Sequence, residues 1–282
     1  MPDVPIVDSH VHLWDPTVFR MSWLDGTPID KPFGLAEYRA ATDGLPIDGM
    51  VYLQVEVEPA YGLLEARWAA KRADEEPRMK AIVAWAPLEF GEQAQAYLAE
   101  LVSIDPRIKG VRRLIQGESL DFAAQARFVR GVQLLPELGL SFDICIKHPQ
   151  LPSVLELVRQ CPDVWFILDH IGKPDIAAGL REPWRTQLKE LADFPNVVCK
   201  VSGMVTEADH NSWTADDLRP YVEHVIESFG EDRVVFGGDW PVATLASPYK
   251  RWVETLDQLT DGLSTEAKRR LWGENARLFY RI

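Results

Sequence analysis

Two imidazoles separated by one residue, His10-Val11-His12, close an apolar run (Val4-Pro5-Ile6-Val7-Asp8) too short for anything but a buried strand. On a strand, residues i and i+2 share a face, so both rings converge on one side of the sheet while Val11 turns away. That pair can chelate a metal. Three more candidate ligands, His148, His170 and Asp239, also sit at the ends of apolar runs further along the chain. Three imidazoles and a carboxylate meeting at one mouth suit zinc or a similar borderline cation with positions left for water. The same carboxylate can instead deprotonate water directly when the substrate carbonyl is already electrophilic, as in a lactone.

The elements that must bring these residues together recur eight times. Apolar or β-branched segments at 4–10, 49–56, 80–86, 109–115, 141–147, 164–169, 196–202 and 234–238 are each followed by a longer stretch of helical character. Helices are predicted over 63–73, 93–102, 123–138, 151–159, 184–192, 218–229 and 265–279. Strands alternating with helices imply right-handed βαβ units and a parallel sheet. Eight units without a Gly-rich phosphate loop at the first turn favour an α/β (β/α)8 TIM barrel over an open doubly wound sheet. No linker or repeat divides residues 1–282, so one domain is predicted. The exception to the rhythm is residues 14–45, with Trp14, Phe19, Trp23 and Phe33 among Pro16, Pro28 and Pro32, which reads as a long ordered loop after strand 1.

In such a barrel the site lies at the C-terminal strand ends. Collecting polar residues there gives His10 and His12, Gln54 and Glu56, Arg112 and Arg113, Lys147 and His148, Asp169 and His170, Lys200 and Ser202, and Asp239 followed by Trp240. Arg112 and Arg113 are adjacent, so one faces inward and the other outward, with the choice open. The inward arginine together with Lys147, Lys173 or Lys200 makes a positive patch suited to a carboxylate or a developing oxyanion. Each of these cations also fits a plain salt bridge to Glu56, Glu58 or Asp169. Gln54, Glu56, Lys147 and Lys200 are candidates to bind substrate hydroxyls, and Trp14, Trp23 and Trp240 to wall the pocket. His210 and His224 fall in a loop and a helix, where surface or packing roles are predicted.

Composition narrows the partners. The net charge of -13 and the absence of a dense basic cluster disfavour nucleic acid. Three cysteines without paired spacing, two of them inside predicted strands, argue for a reducing compartment. With neither a signal-type N-terminus nor an apolar stretch of about 18 residues, a cytoplasmic, membrane-free protein is expected, its oligomeric state open and a homodimer one option.

The motifs Asp8-Ser9-His10-Val11-His12, Leu168-Asp169-His170-Ile171-Gly172-Lys173-Pro174, Cys199-Lys200-Val201-Ser202-Gly203 and Gly237-Gly238-Asp239-Trp240-Pro241 resemble the amidohydrolase superfamily. So does the closing Gly273-Glu274-Asn275-Ala276-Arg277-Leu278-Phe279. The resemblance is to the amidohydrolase-related (amidohydrolase 2) branch of sugar-lactone and pyrone lactonases. It spans essentially the whole chain. It implies a barrel hydrolase with Asp239 as general base, His170 orienting the hydrolytic water, and Arg112 or Arg113 or a metal polarising the carbonyl. It further implies one divalent cation, zinc foremost, held by His10, His12, His148 and Asp239, or no cation at all. The bridging Lys or Glu of binuclear relatives is replaced at strand 4 by Arg112-Arg113, which argues against two metals. Arg112-Arg113-Leu114-Ile115-Gln116 and residues 142–151 are similar to sugar-acid lactonases of the L-fuconolactonase and L-rhamnonolactonase type, implying a small-molecule aldono-lactone substrate and a place in carbohydrate, L-fucose, catabolism. The competing readings are a 2-pyrone-4,6-dicarboxylate or muconolactone-type lactonase, a metal-dependent non-oxidative decarboxylase of an aromatic acid, and a non-enzymatic sugar-acid binder.

Overall fold

Eight strands run parallel in sequential order: β1 (Ile6–Val11), β2 (Ile47–Leu53), β3 (Met79–Ala84), β4 (Ile108–Val111), β5 (Ser141–Ile144), β6 (Phe166–Leu168), β7 (Val197–Val201) and β8 (Val234–Phe236). The computed structural model describes residues 1–282. Every predicted strand is present, and all but β1 end earlier than the apolar run suggested, because the last residues of the run leave the ladder. Helices over Gly62–Glu75, Gln95–Ile104, Leu151–Gln160, Trp184–Ala192 and Ala215–Phe229 follow the strands as predicted. Leu151–Gln160 shows the local logic: Leu151, Val154, Leu155 and Val158 are buried at helical spacing against the sheet.

Three segments differ from the sequence expectation. The predicted helix 123–138 is shortened to Ala126–Val132 and flanked by single 3-10 turns. The predicted helix 265–279 is broken by a wide turn at Arg270–Glu274, where a Cβ on Gly273 would meet the Pro5 carbonyl at 3.1 Å. The long loop after β1 is ordered, as predicted, through the Trp14–Phe33 bridge, but it also carries a short helix, Leu35–Ala41. Tyr249–Leu259 is a further helix beyond the predicted ones.

Which residues face the interior follows from strand parity. Val51 and Leu53, Ala81 and Val83, Ile167, Val198 and Val235 form an inner cluster with Ala276, Phe279 and Tyr280 of the C-terminal helix. That helix plugs the N-terminal end of the barrel. Extending the parity upward puts Arg112, Asp143 and Cys145, Asp169, Lys200 and Ser202, and Asp239 on the inner face. Val7 also belongs to the inner cluster, yet His10 and His12 lie inside too. The change from odd to even is made by a register shift against β2 between Asp8 and Val11.

Beta1 and β8 meet through the backbone beyond the end of β8. Asp239 N–H donates to the His10 carbonyl at 2.8 Å and His12 N–H to the Trp240 carbonyl at 2.7 Å. The buried Asp8 carboxylate fastens this seam, accepting from Gly238 N–H (2.7 Å), His10 N–H (3.1 Å), Tyr249 hydroxyl (2.7 Å) and Tyr38 hydroxyl (3.1 Å). Each of those donors is buried and would be left unpaired without it, at about 1–3 kcal/mol apiece. Asp8→Ala is therefore expected to lose about 3–5 kcal/mol, read as a lower urea midpoint at unchanged slope, with Asp8→Asn, which keeps one acceptor oxygen, losing less.

Candidate active site

A pocket of about 150 Å3 opens at the C-terminal strand ends, lined by residues from six strand ends and the loop after β1, among them His12, Trp23, Glu56, Arg112, Cys145, His170, Lys173 and Asp239. It is smaller than the 300–1,000 Å3 clefts that hold drug-sized ligands, which suits a single-ring substrate.

His10, His12 and Asp239 converge on one point. The two Nε2 atoms lie 3.1 Å apart, and Asp239 Oδ1 is 3.7 Å from each. His12 Nδ1 faces the Leu53 carbonyl at 2.9 Å, and a carbonyl only accepts, so His12 carries its proton there and presents a bare lone pair at Nε2. A triangle of 3.1, 3.7 and 3.7 Å has its centre about 2.0 Å from each corner, the length of a zinc–nitrogen bond. The donor set therefore fits one cation, and without a cation it needs a proton on His10 Nε2.

Asp239 is held with φ +52, and burial pushes its carboxyl up to about 7, with Lys173 and Arg112 pulling the other way. His170 lies beside it, Nε2 to Asp239 Oδ1 at 3.9 Å, with Nδ1 2.9 Å from the Ser202 hydroxyl. Burial, followed by the charges of His10 and Lys173, holds His170 well below its ordinary pKa, so the ring is neutral. The approach of β7 is what makes room. Gly203 sits at φ +58, and a Cβ there would lie 2.4 Å from His170 Nδ1 and 3.1 Å from Asp239 Oδ2.

Beneath this layer lies a buried ion network. Arg112 is the inward arginine: its Nη1 is 3.3 Å from Asp169 Oδ2 and 3.2 Å from His10 Nε2, and its Nη2 donates to the Gln54 carbonyl. Lys200 Nζ is 2.6 Å from Asp143 Oδ2 and 2.9 Å from Asp169 Oδ1, and Tyr280 hydroxyl donates to the same Asp143 oxygen at 2.7 Å.

Several predicted site residues lie elsewhere. Arg113 points outward to Glu89 (3.2 Å) and Glu118 (2.6 Å) and stacks on Phe122, so it takes no part in the site. His148 is not a ligand: β5 ends at Ile144, Cys145 takes the inward position, and His148 starts a 3-10 turn outside the pocket lining. Lys147 is exposed in the same turn. Gln54 is out of phase with the inner face and its side chain accepts from Glu56 N–H instead of lining the pocket. Lys200 is wholly buried below the pocket, and Trp240 packs on Phe33 and Tyr38 in the core. Trp23 and Glu56 do line the pocket, Trp23 tied by its indole N–H to the Val55 carbonyl at 2.8 Å. Cys145 and Thr206 line the pocket as well, outside the predicted set, and strand parity counted from Asp143 finds the first of them. His224 bonds the Arg185 carbonyl at 2.8 Å and packs on Trp184, and His210 is exposed, as predicted for both.

This geometry separates the true chelate from the predicted one. Calorimetric titration with zinc should show affinity reduced about 100-fold in His12→Ala and unchanged in His148→Ala. Equal loss in both would contradict the geometry.

Known proteins place the site in a lineage. Residues 7–282 match the family model described as amidohydrolase. The chain is 31% identical to an L-fucono-1,5-lactonase of Burkholderia multivorans, over 98% of this chain and 96% of that one. It is 23% identical to an L-rhamnono-gamma-lactonase of Scheffersomyces stipitis over the full length of both. A crystal structure of an amidohydrolase from Burkholderia multivorans with bound zinc superposes with a TM-score of 0.87 at 28% identity, covering 99% of this chain and 100% of that one. With the family model spanning nearly every residue and the strand-end constellation in place, this chain belongs to the amidohydrolase family and is a hydrolase acting on ester bonds.

Proposed function

We propose that this protein opens a sugar-acid lactone, of the aldono-lactone class that includes L-fuconolactone, to the free aldonate. The observation that carries the reading is Asp239: a carboxylate with raised basicity, aimed into a small polar pocket beside a neutral His170. Its kinship over the whole chain to lactonases supports the substrate class.

In this reading Asp239 accepts a proton from water while His170 orients that water. The new oxygen–carbon bond forms at the lactone carbonyl, the ring carbon–oxygen bond breaks from the tetrahedral adduct, and Asp239 returns the proton to the departing ring oxygen. Trp23 covers the ring, and Glu56 at the rim accepts from substrate hydroxyls. Arg112 spends its two Nη groups on the Asp169 carboxylate and the Gln54 carbonyl, so it anchors the floor. His10, His12 and Asp239 would hold a divalent cation such as zinc, which when bound supplies Lewis-acid charge.

A panel of sugar lactones followed by proton release in weak buffer, run before and after chelation, is expected to show turnover of aldono-lactones. No hydrolysis of any sugar lactone by folded protein overturns the reading, and activity that vanishes on chelation and returns with zinc makes the cation obligatory. Asp239→Asn should lower kcat by about 100- to 10,000-fold. Because the base form of Asp239 grows as pH rises, chelator-treated enzyme should gain kcat/KM with pH through a midpoint near 7. A flat profile from pH 5 to 9 would remove Asp239 as the base.

Gly203→Ala should cost about 100-fold in kcat by displacing His170 and Asp239. Gly26→Ala, also at positive φ (+74) but with nothing within 4 Å, isolates backbone strain and should leave turnover intact.

A further inference from the structure

Four consecutive residues at the end of β6 share left-handed backbone angles: His170 (φ 53), Ile171 (φ 50), Gly172 (φ 77) and Lys173 (φ 48). Only one of them is glycine, and a buried β-branched residue at such a φ is an outlier. The turn is pinned on both sides: Lys173 N–H donates to the His170 carbonyl at 2.9 Å, and the buried Trp184 indole donates to the Ile171 carbonyl at 2.8 Å. A turn of three residues eclipses side chains at i and i+3. It thereby sends His170 and Lys173 into one pocket, as the lining shows.

Lys173 is the pocket's uncommitted cation. Arg112 is fixed by its ladder of partners, Lys200 lies between Asp143 and Asp169 outside the lining, and Lys147 is exposed beyond it. Lys173 Nζ makes one hydrogen bond, to Gln116 Oε1 at 2.6 Å, and no carboxylate lies within 4.0 Å of it. An ammonium has three N–H donors, so two remain for a ligand. The Gln116 carbonyl oxygen also faces the Cys145 thiol at 3.7 Å, which fixes the amide as the acceptor that aims the lysine.

From this geometry we infer that Lys173 is a catalytic residue of the proposed lactone hydrolysis, donating hydrogen bonds to the carbonyl oxygen as it becomes an oxyanion and then to the product carboxylate. No proton need leave the ammonium; the negative charge that water addition places on the carbonyl oxygen is met by the fixed N–H donors and collapses back when the ring bond breaks. The strained turn is what places both groups around one carbonyl, His170 on the side of the water and Lys173 on the side of the oxygen. This inference rests on the lactonase reading, and its test keeps the two separable.

Lys173→Met and Lys173→Ala are compared with wild type by lactone hydrolysis and by calorimetric binding of the sugar acid L-fuconate. Loss of a preorganised oxyanion donor lowers kcat about 100-fold or more with KM within about threefold. Fuconate affinity falls at least about tenfold, and added ethylammonium restores turnover to Lys173→Ala in a saturable way. Where Lys173→Met fails to fold by circular dichroism, Lys173→Gln carries the same comparison. A wild-type kcat in the folded variants, or a loss confined to KM with no amine rescue, overturns the inference while leaving the lactonase reading standing. A wild type that turns over no lactone yet binds fuconate through Lys173 overturns the lactonase reading and the catalytic role, leaving an anion site; no turnover and no Lys173-dependent binding overturns both.

Discussion

Four charges buried in the barrel, Arg112, Asp169, Lys200 and Asp143, set the terms for everything above them. Each would be prohibitive alone in a low-dielectric interior, and removing one partner of such a set typically costs about 3–5 kcal/mol because it strands the others. Together they sum to zero. Lys200 bridges Asp143 and Asp169 at 2.6 and 2.9 Å, and Asp169 passes the charge on to Arg112 at 3.3 Å. The network also reaches the site, since Asp169 Oδ1 lies 3.4 Å from His10 Nδ1 and Arg112 Nη1 lies 3.2 Å from His10 Nε2. Tyr280 ties the floor to the C-terminal helix through Asp143. Stability and site orientation thus share the same four side chains, three of which touch His10 directly.

Above this floor the backbone is strained. Glu56, His170, Ile171, Lys173 and Asp239 all have positive φ, and of the six non-glycine residues with that property only Arg281 lies away from the strand ends. Each left-handed residue costs about 1–2 kcal/mol. A distribution confined to one rim of the barrel says what the strain does: it re-aims side chains that the strands' own period of two would send elsewhere. Asp169 follows the inner parity of β6, and His170 would point outward; the left-handed turn brings it in. Compensation comes from groups that grip the turn, the Trp184 indole on Ile171 and the Asp8 carboxylate on Gly238 N–H.

These two features decide what could be read from the sequence. The strands, the barrel, the HxH pair, His170, an inward arginine from the Arg112-Arg113 pair and Asp239 all follow from apolar runs and their polar ends, because both are local properties of the sequence; which arginine turns inward is settled only by the strand's parity in the barrel. His148 and Lys147 misled for the opposite reason. The run stays apolar for two residues after β5 has ended at Ile144, since Cys145 lines the pocket and Ile146 is buried, and the end of burial is not the end of the ladder. Lys200 reads as a pocket residue because it is a polar residue near the end of an apolar run; only its contact with Asp143 on the inner face of β5, 57 residues away in sequence, shows that it is a floor post. The shift that brings His10 inside while Val7 is also inside has no sequence signal of its own, because a bulge is made by the partner strand's register.

The same floor explains why the site has the donors for one cation and not for two. A second cation beside His170 would draw on Asp169 and Cys145, whose ligand atoms lie within 4.8 Å of His170's. Asp169 is already shared between Lys200 and Arg112, and Arg112 carries a charge that no accessible pH removes. Burial, moreover, pushes the Cys145 thiol up to about 11, so it offers no thiolate at neutral pH. A dication there would face a fixed guanidinium across a few ångströms of low dielectric with its best carboxylate partly spent, a repulsion that grows as the medium dries. The position between His12, His10 and Asp239 also lies near that guanidinium, with Arg112 Nη1 3.2 Å from His10 Nε2, but there Asp239 has no lysine or arginine within 4.0 Å to share it and His12 presents a bare lone pair. The uncommitted carboxylate therefore favours that single position, and Asp239, shared between a cation there and the water it would deprotonate, is the group through which the two modes of the site are coupled.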